Sequence, residues 1–499
     1  MFQDIFSNPE IVRNARHRLR PKTVIMTIVI TTVFLIFVAF LALGPHNRVD
    51  YKSWHALFIA YAWISTLAGF FYGISLTTTS IIGEKDKKTY DFMFMTPMTD
   101  WQIAIGKLLG STLHLWVILA IMMPLLGLSG FAGQVETVRM FIFYLVLILG
   151  SLFCAAAGLL VSVSITRMTS SFAGVIIVLL IAYAGGMFAE AGRYVPYLNF
   201  YGLLSPISTI RDITDQFETS SYSFKNSISF FGAEFNGGWF TIFLYVWLTF
   251  WIMRAVIRKI RNLQGVYLTK VEAFIFFIVM ETLLVGFQWE YLRSGEGKFW
   301  PSLATYLITN GMLITLLSCG LTLSREGYFS YVRQRLAGAP LKPGDKRTPP
   351  HVLHIALCLI VALGFVAAQA KATFPAPDIT IALLEIFVLV AGISIFYILL
   401  QYLKTIFVTA GPLVAFIITG AVLAIPPIFI AAFDLPGKYH TYFNPLAYIT
   451  NVPYLRVDFT NTDLWVHPVI LGVVLIGMII MFVLRHSAIK RIIRHRMEL

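Results

Sequence analysis

Three ionisable side chains, His114, Glu281 and Glu385, stand inside long apolar runs. They are the residues best placed to exchange a proton or grip a polar ligand away from bulk water. A charge at the centre of a membrane helix costs about 2.5–3.5 kcal/mol on insertion scales, so such residues face protein or a water-filled path. Each is therefore read as a pathway residue or as a helix contact, and for His114 the second reading is a neutral ring hydrogen-bonded within the bundle. Chemistry of other kinds has little support. The sequence contains no G-x-x-x-x-G-K-[ST] phosphate loop, no H-E-x-x-H and no G-x-S-x-G, so intrinsic catalysis is not expected. Cys154, Cys319 and Cys358 all lie in apolar runs without ligand-like spacing, and no metal site or disulfide framework is expected.

A second concentration of chemistry lies outside the apolar runs. Gly83-Glu84-Lys85-Asp86-Lys87-Lys88-Thr89-Tyr90-Asp91-Phe92-Met93-Phe94-Met95-Thr96-Pro97-Met98-Thr99-Asp100-Trp101 begins charged, becomes apolar and leads into Gly106-Lys107. The pattern predicts a short amphipathic helix over 87–95, stopped by Pro97, which lacks a donor and clashes with the preceding turn. Asp100 is placed to cap the following helix and Trp101 to sit at the membrane interface. Such an element lies on a membrane surface or fills a groove on a partner; its composition fits both.

The elements that must position these residues are membrane spans. The chain has 499 residues, 58% hydrophobic and 13% charged, too little polar surface to clothe a soluble globule. Its apolar runs of about 20 residues each cross a hydrocarbon core of ~30 Å. The expected fold is all-α: a polytopic bundle of twelve helices at 23–44, 54–77, 106–128, 139–165, 171–189, 238–256, 271–289, 300–322, 351–370, 378–402, 405–433 and 465–485. The first run follows a polar, basic stretch and is too long for a cleaved signal. The connections repeat in rhythm, so two parallel six-helix repeats are expected, 1–262 and 263–499, related by an axis along the membrane normal. Each has a basic inner loop (78–105; 323–350) and a long outer segment (190–237; 434–464). In the outer segments Ser205-Pro206 matches Asn444-Pro445. Most of the 38 Lys and Arg residues fall on the side that holds the N-terminus. This positive-inside bias puts both termini in the cytoplasm and accounts for the net charge of +13 through membrane lipids, with no nucleic-acid partner.

The stretch from Gly83 to Lys107 resembles the permease subunits of type-2 ATP-binding-cassette exporters, whose loop between helices two and three reads approximately G-E-R-x-x-G-T-L-E-L-L-L-x-T-P-L-x-x-x-x-I-x-x-G-K. Gly83, Glu84, Thr89, Asp91, Met93, Thr96, Pro97, Ile103, Gly106 and Lys107 fall in register without gaps, Asp91 and Met93 as conservative replacements. Lys88 stands where the family has a glycine. The resemblance implies a coupling helix at about 86–96 that presses into a cleft on a separate ATPase subunit, with Glu84, Lys85, Asp86, Thr89, Phe92, Met93, Thr96, Pro97, Gly106 and Lys107 as the coupling residues. It further implies an interfacial elbow helix at Asn8–Arg20, for which an ordinary basic flank is the plainer reading, and re-entrant helices in the two outer segments. In the second half, Arg325, Glu326 and Tyr328 keep charge and aromatics but lack the Thr-Pro ending, which implies a degenerate coupling helix.

The implied function is the permease of an ATP-binding-cassette exporter in the inner (plasma) membrane, with ATP and Mg²⁺ on the partner subunit and no cofactor in this chain. One chain with two halves and a homodimer both fit. A secondary transporter with two parallel six-helix halves is the first rival, disfavoured by the short connector at 257–270 and the few charges in the spans. A non-transporting membrane scaffold is the second.

Overall fold

The computed structural model describes residues 8–44, 50–90, 95, 97–164, 202–203, 205, 209–210, 213, 227–261, 266–292, 296–323, 325–338, 350–369, 376–406 and 461–498. The helix expected at 171–189 lies outside them, as do all but the first two residues of that expected at 405–433, residues 434–460 and most of 190–237. The chain divides into two compact units, residues 1–229 with 233–267, and 268–499 with 230–232. Eight helices among the described residues are long and apolar enough to cross a membrane: Pro21–Leu43, Tyr51–Asp86, Asp100–Ala132, Thr137–Ser164, Gly237–Ile260, Lys270–Glu290, Leu383–Ile406 and Pro468–His495. The protein is an all-α polytopic bundle.

The first unit opens with α1 (Pro9–Arg18). Asn8 caps it by accepting from Glu10 N, Pro9 starts it, and Arg16, His17 and Arg18 face the negative end of its dipole. Two residues later α2 (Pro21–Leu43) begins. Its side chains are exposed nearly all round, with Leu35 alone buried, as expected of a helix whose solvent is lipid. The next span is continuous from Tyr51 to Asp86 but changes pitch: α3 (Tyr51–Leu67), a π-helical turn (Ala68–Tyr72), then α4 (Gly73–Asp86).

Helix α5 (Asp100–Ala132) starts a turn and a half before the expected 106. Its cap is Thr99, not Asp100: Thr99 Oγ1 accepts from Gln102 N, and Gln102 Oε1 accepts from Thr99 N, a reciprocal capping box. Asp100 instead sits in the first turn, where a carboxylate complements the helix dipole. Helix α6 (Thr137–Ser164) packs closely on α4 because Gly158 has no side chain; a Cβ there would collide with Thr77 Oγ1 and lie 2.7 Å from the Ile74 carbonyl. A two-stranded hairpin, β1 (Ser227–Phe230) and β2 (Ala233–Asn236), leads into α7 (Gly237–Arg261). The hairpin occupies the described end of the outer segment at 190–237; most of the Ser205-Pro206 stretch, where the re-entrant helix is expected, lies outside the described residues, and residues 202, 209, 210 and 213 around it are helical.

The second unit contains α8 (Lys270–Leu292), α9 (Glu296–Leu321), α10 (Arg325–Leu336), α11 (His351–Gln369), α12 (Ala376–Ile406) and α13 (Asn461–Glu498). The final helix runs well past the expected 485 and carries the basic cluster Lys490, Arg491 and Arg494 on its extension. Within the first unit α3–α4 packs on α6, α6 on α7, and α2 on both α3 and α5; within the second, α9 packs on α12, α12 on α13, and α8 on both α9 and α11. The same neighbour pairs recur at the same positions in the chain order of each unit.

Candidate functional site

The segment with coupling character begins where α4 ends. Thr89 N donates to Glu84 O at 2.9 Å and Lys88 N to Lys85 O at 3.1 Å, the paired bonds of a Schellman cap, and Lys88 takes the left-handed conformation with φ 56°. The position at which the resembling family has glycine is the position that needs positive φ, and here a lysine occupies it at a cost of about 1–2 kcal/mol. The amphipathic helix expected over 87–95 therefore does not include 87–89, which form this turn. Residues 91–94 and 96, including Phe92, Met93 and Thr96, lie outside the described residues.

Behind the turn, three helix ends are tied together. Lys107, in the second turn of α5, is 3% exposed and makes ion pairs with Glu10 of α1 at 2.6 Å and with Glu84 of α4. Arg13 of α1 meets the same two carboxylates, at 2.8 and 2.9 Å. Asn14 donates to the Glu10 carbonyl at 2.9 Å, and Asn8 donates to the Gln102 carbonyl at 2.7 Å. This network depends on close approach of α1 to α5 over Gly106 and Gly110. A Cβ on Gly106 would lie 2.7 Å from Glu10 Cβ, and one on Gly110 2.9 Å from Asn14 Nδ2. Buried charges are tolerated only when paired; two acids and two bases meet that condition.

Two more residues anchor the turn. Lys85 Nζ donates to the Ser162 and Val163 carbonyls at 3.0 and 2.8 Å, satisfying the open end of α6, and the Tyr90 hydroxyl donates to the Ile260 carbonyl at the end of α7. Of the ten residues expected to contact a partner, Glu84, Lys85, Gly106 and Lys107 are thus turned into the protein. Asp86, Thr89 and Pro97 are exposed. Met95, at 77%, is the most exposed large apolar side chain among the described residues. The division is between an inner set that fastens the segment and an outer set free to be gripped.

Sequence reading missed Glu10 and Asn8 as members of this site. The available signals were the one acid within the basic helix 9–18, three residues before Arg13, and two glycines one turn apart in α5.

The intramembrane candidates have structural partners. His114 Nε2 lies 2.6 Å from Thr27 Oγ1 and Nδ1 lies 2.7 Å from the Tyr72 hydroxyl. Because Thr27 spends its own hydrogen on the Thr23 carbonyl at 2.8 Å, it accepts from Nε2–H, while Nδ1 accepts from Tyr72. A neutral ring satisfies every contact and ties α2 and the π-helical turn to α5. Glu281 of α8 is buried against Tyr306 of α9, whose hydroxyl also contacts the Val361 carbonyl of α11 at 3.0 Å. A phenol has one hydrogen for these two acceptors, so both bonds form at once only when Glu281 carries a proton and donates it. Glu385 of α12 is fully buried, and neither of its oxygens has a hydrogen-bond partner among the described residues.

In the second unit α10 occupies the inner loop. Tyr328, Tyr331 and Val332 are buried against Ile489 and Ile493 of α13, and the Tyr328 hydroxyl lies 2.8 Å from His486 Nδ1. Burial, with Tyr331 adding to it, pushes the Tyr328 phenol above its ordinary pKa. Arg325 and Glu326 are exposed at the start of the helix.

The described residues thus form a multi-pass helical bundle with a polar, charge-fastened junction at one end of its spans. The sequence pattern of the ABC-2 family transporter proteins matches residues 14–287, and the chain belongs to that family. It is similar to the probable multidrug ABC transporter permease YbhR of Escherichia coli, strains K12 and O157:H7, with 28% identity over 175 residues. The matched stretch covers 34% of this chain and 44% of those relatives, so the chain spans less than half of their length. No solved structure matches the chain.

Proposed function

We propose that the chain is the permease of an exporter in the plasma membrane, driven by a separate ATP-hydrolysing subunit that grips the segment between α4 and α5. The observation that carries this reading is the fastening of that segment to four helices at once: Glu84 to α1 and α5, Lys85 to α6, and Tyr90 to α7. A force applied at Met95 or Pro97 would reach the first unit as a rigid body rather than bend a loose loop. The partner holds ATP and Mg²⁺, and its closure favours one arrangement of the permease by differential contact at this segment. The Lys and Arg distribution supports a cytoplasmic position for the segment and for both termini.

The two halves of one chain form the translocation unit. Helix α10 takes the place of the coupling element in the second half, with Tyr328 and Tyr331 committed to α13 and Arg325, Glu326 and Arg333 among the exposed side chains left to meet a partner. Purification of the full chain in mild detergent, with the native mass and ATPase stoichiometry measured, tests the proposal. One permease chain with ATPase subunits bound is expected. A chain that purifies alone and moves substrate down an ion gradient would refute it, and two permease chains per complex would replace the single-chain unit with a homodimer.

A further inference from the structure

A cavity of about 180 Å³ opens beside the charge network, between α1, the end of α4 and the second turn of α5. Arg13, Arg18, Lys87 and Lys107 bring four positive charges to its wall and Glu84 one negative charge. Glu10, paired with Lys107 from behind, adds a second carboxylate. Two positive charges remain uncompensated, and no carboxylate pairs with Arg18 or Lys87 among the described residues. Ser80 and Ser111 also line the wall, with their hydroxyls donating to the Thr77 and Leu108 carbonyls, so the cations are the groups left to bind an anion.

The cavity's depth is set by the chain itself. Only Leu19 and Arg20 separate α1 from α2, and Ile25 and Met26 of α2 already present open apolar side chains. The cavity is therefore level with the boundary where hydrocarbon gives way to head groups. A concave site of this size and charge at this depth fits one ligand chemistry, a phosphodiester, and one abundant source of it. We infer that the cavity binds the phosphate of an anionic phospholipid from the adjoining leaflet, held between Arg18 of α1 and Lys87 at the end of α4. A zwitterionic lipid would bring its own cation to the same arginines and lysines and is disfavoured. The bound phosphate clamps α1 to the turn that Lys88 strains. This inference does not depend on the identity of any ATPase, because its readout is lipid retention by the permease alone.

Native mass spectrometry of the full chain in mild detergent, with phosphatidylglycerol, phosphatidylethanolamine or inorganic phosphate added at equal concentration, tests it. Phosphatidylglycerol should be retained in preference to phosphatidylethanolamine, and each neutralised cation should weaken its retention about fivefold. Arg18→Gln with Lys87→Gln should bring the two lipids close to parity, whereas Arg18→Lys with Lys87→Arg should keep the preference. Lys87→Gln alone, at an exposed turn position, carries the test if the double variant does not fold. Equal retention of both lipids by the wild-type chain, or unchanged phosphatidylglycerol retention in a folded Gln variant, would overturn the inference. Displacement of phosphatidylglycerol by millimolar inorganic phosphate would overturn the lipid source and assign the cavity to soluble phosphate.

Discussion

Replacing Lys107 with methionine isolates what the junction is worth. The side chain is 3% exposed and neutralises two carboxylates, one of them, on Glu10, equally buried. Its loss leaves Glu10 and Glu84 to share Arg13, which is 58% exposed and screened by solvent. Breaking a buried ion pair by removing one partner costs about 3–5 kcal/mol, whereas Arg13→Gln, at a largely exposed position, should cost at most about 1 kcal/mol. The cost falls first on the docking of α1 against α5. It should therefore appear in amide hydrogen exchange of α1 in detergent micelles or nanodiscs, as local opening. At 1.4 kcal/mol per tenfold, Lys107→Met should speed exchange at Val12 and Ala15 by about two to three and a half decades, and Arg13→Gln by less than one. Adding Glu10→Gln to Lys107→Met should recover part of the loss, because the second change removes the stranded charge. Unchanged α1 protection in Lys107→Met, or an Arg13→Gln effect of equal size, would refute the reasoning.

Other expectations follow from the same geometry. Lys88→Gly should raise thermal stability by about 0.5–1 kcal/mol by relieving the left-handed turn, and Lys88→Val should lower it; a melt in which glycine is the worse residue would contradict the Schellman assignment. The two motif glycines should behave oppositely. Gly106→Ala drives a methyl into Glu10 and should cost about 1–3 kcal/mol, whereas a Cβ at Gly83 meets nothing within 4 Å, so Gly83→Ala should be neutral or stabilising. In the second unit, Tyr306→Phe removes the hydroxyl that joins Glu281 to α11 and should cost about 1–3 kcal/mol in a thermal melt, while Glu281→Gln keeps a polar partner for the phenol and should stay within about 1 kcal/mol. A larger loss in Glu281→Gln would show that the carboxylate charge itself is needed.

Hydropathy made the bilayer legible but not the helix ends. Ten of the twelve expected spans meet described helices, yet the second runs nine residues past Thr77 to Asp86, the third starts at Asp100 and the last extends to Glu498. These extensions are polar helix outside the hydrocarbon, where apolar content no longer marks the boundary and caps such as Thr99 do. The segment at 83–107 stood out by pattern, but its internal division did not. Glu84 and Lys107 look like surface charges in sequence; that they turn inward follows from two glycines in α5 that let α1 approach, a contact in which Asn8 meets Gln102, 94 positions away. His114 and Glu281 were visible as costly intramembrane groups, whereas their partners Thr27, Tyr72 and Tyr306 are ordinary residues in spans and carry no signal of their own.

The central claim is that the segment ending at Pro97 is gripped by an ATP-hydrolysing subunit. A photo-crosslinking amino acid placed at Met95, in the chain expressed with its native partners, measures this most directly. Crosslinks to a nucleotide-binding subunit, with a yield that changes when ATP is bound, are predicted. Crosslinks to lipid alone, or labelling of the same position from outside intact cells, would contradict the account.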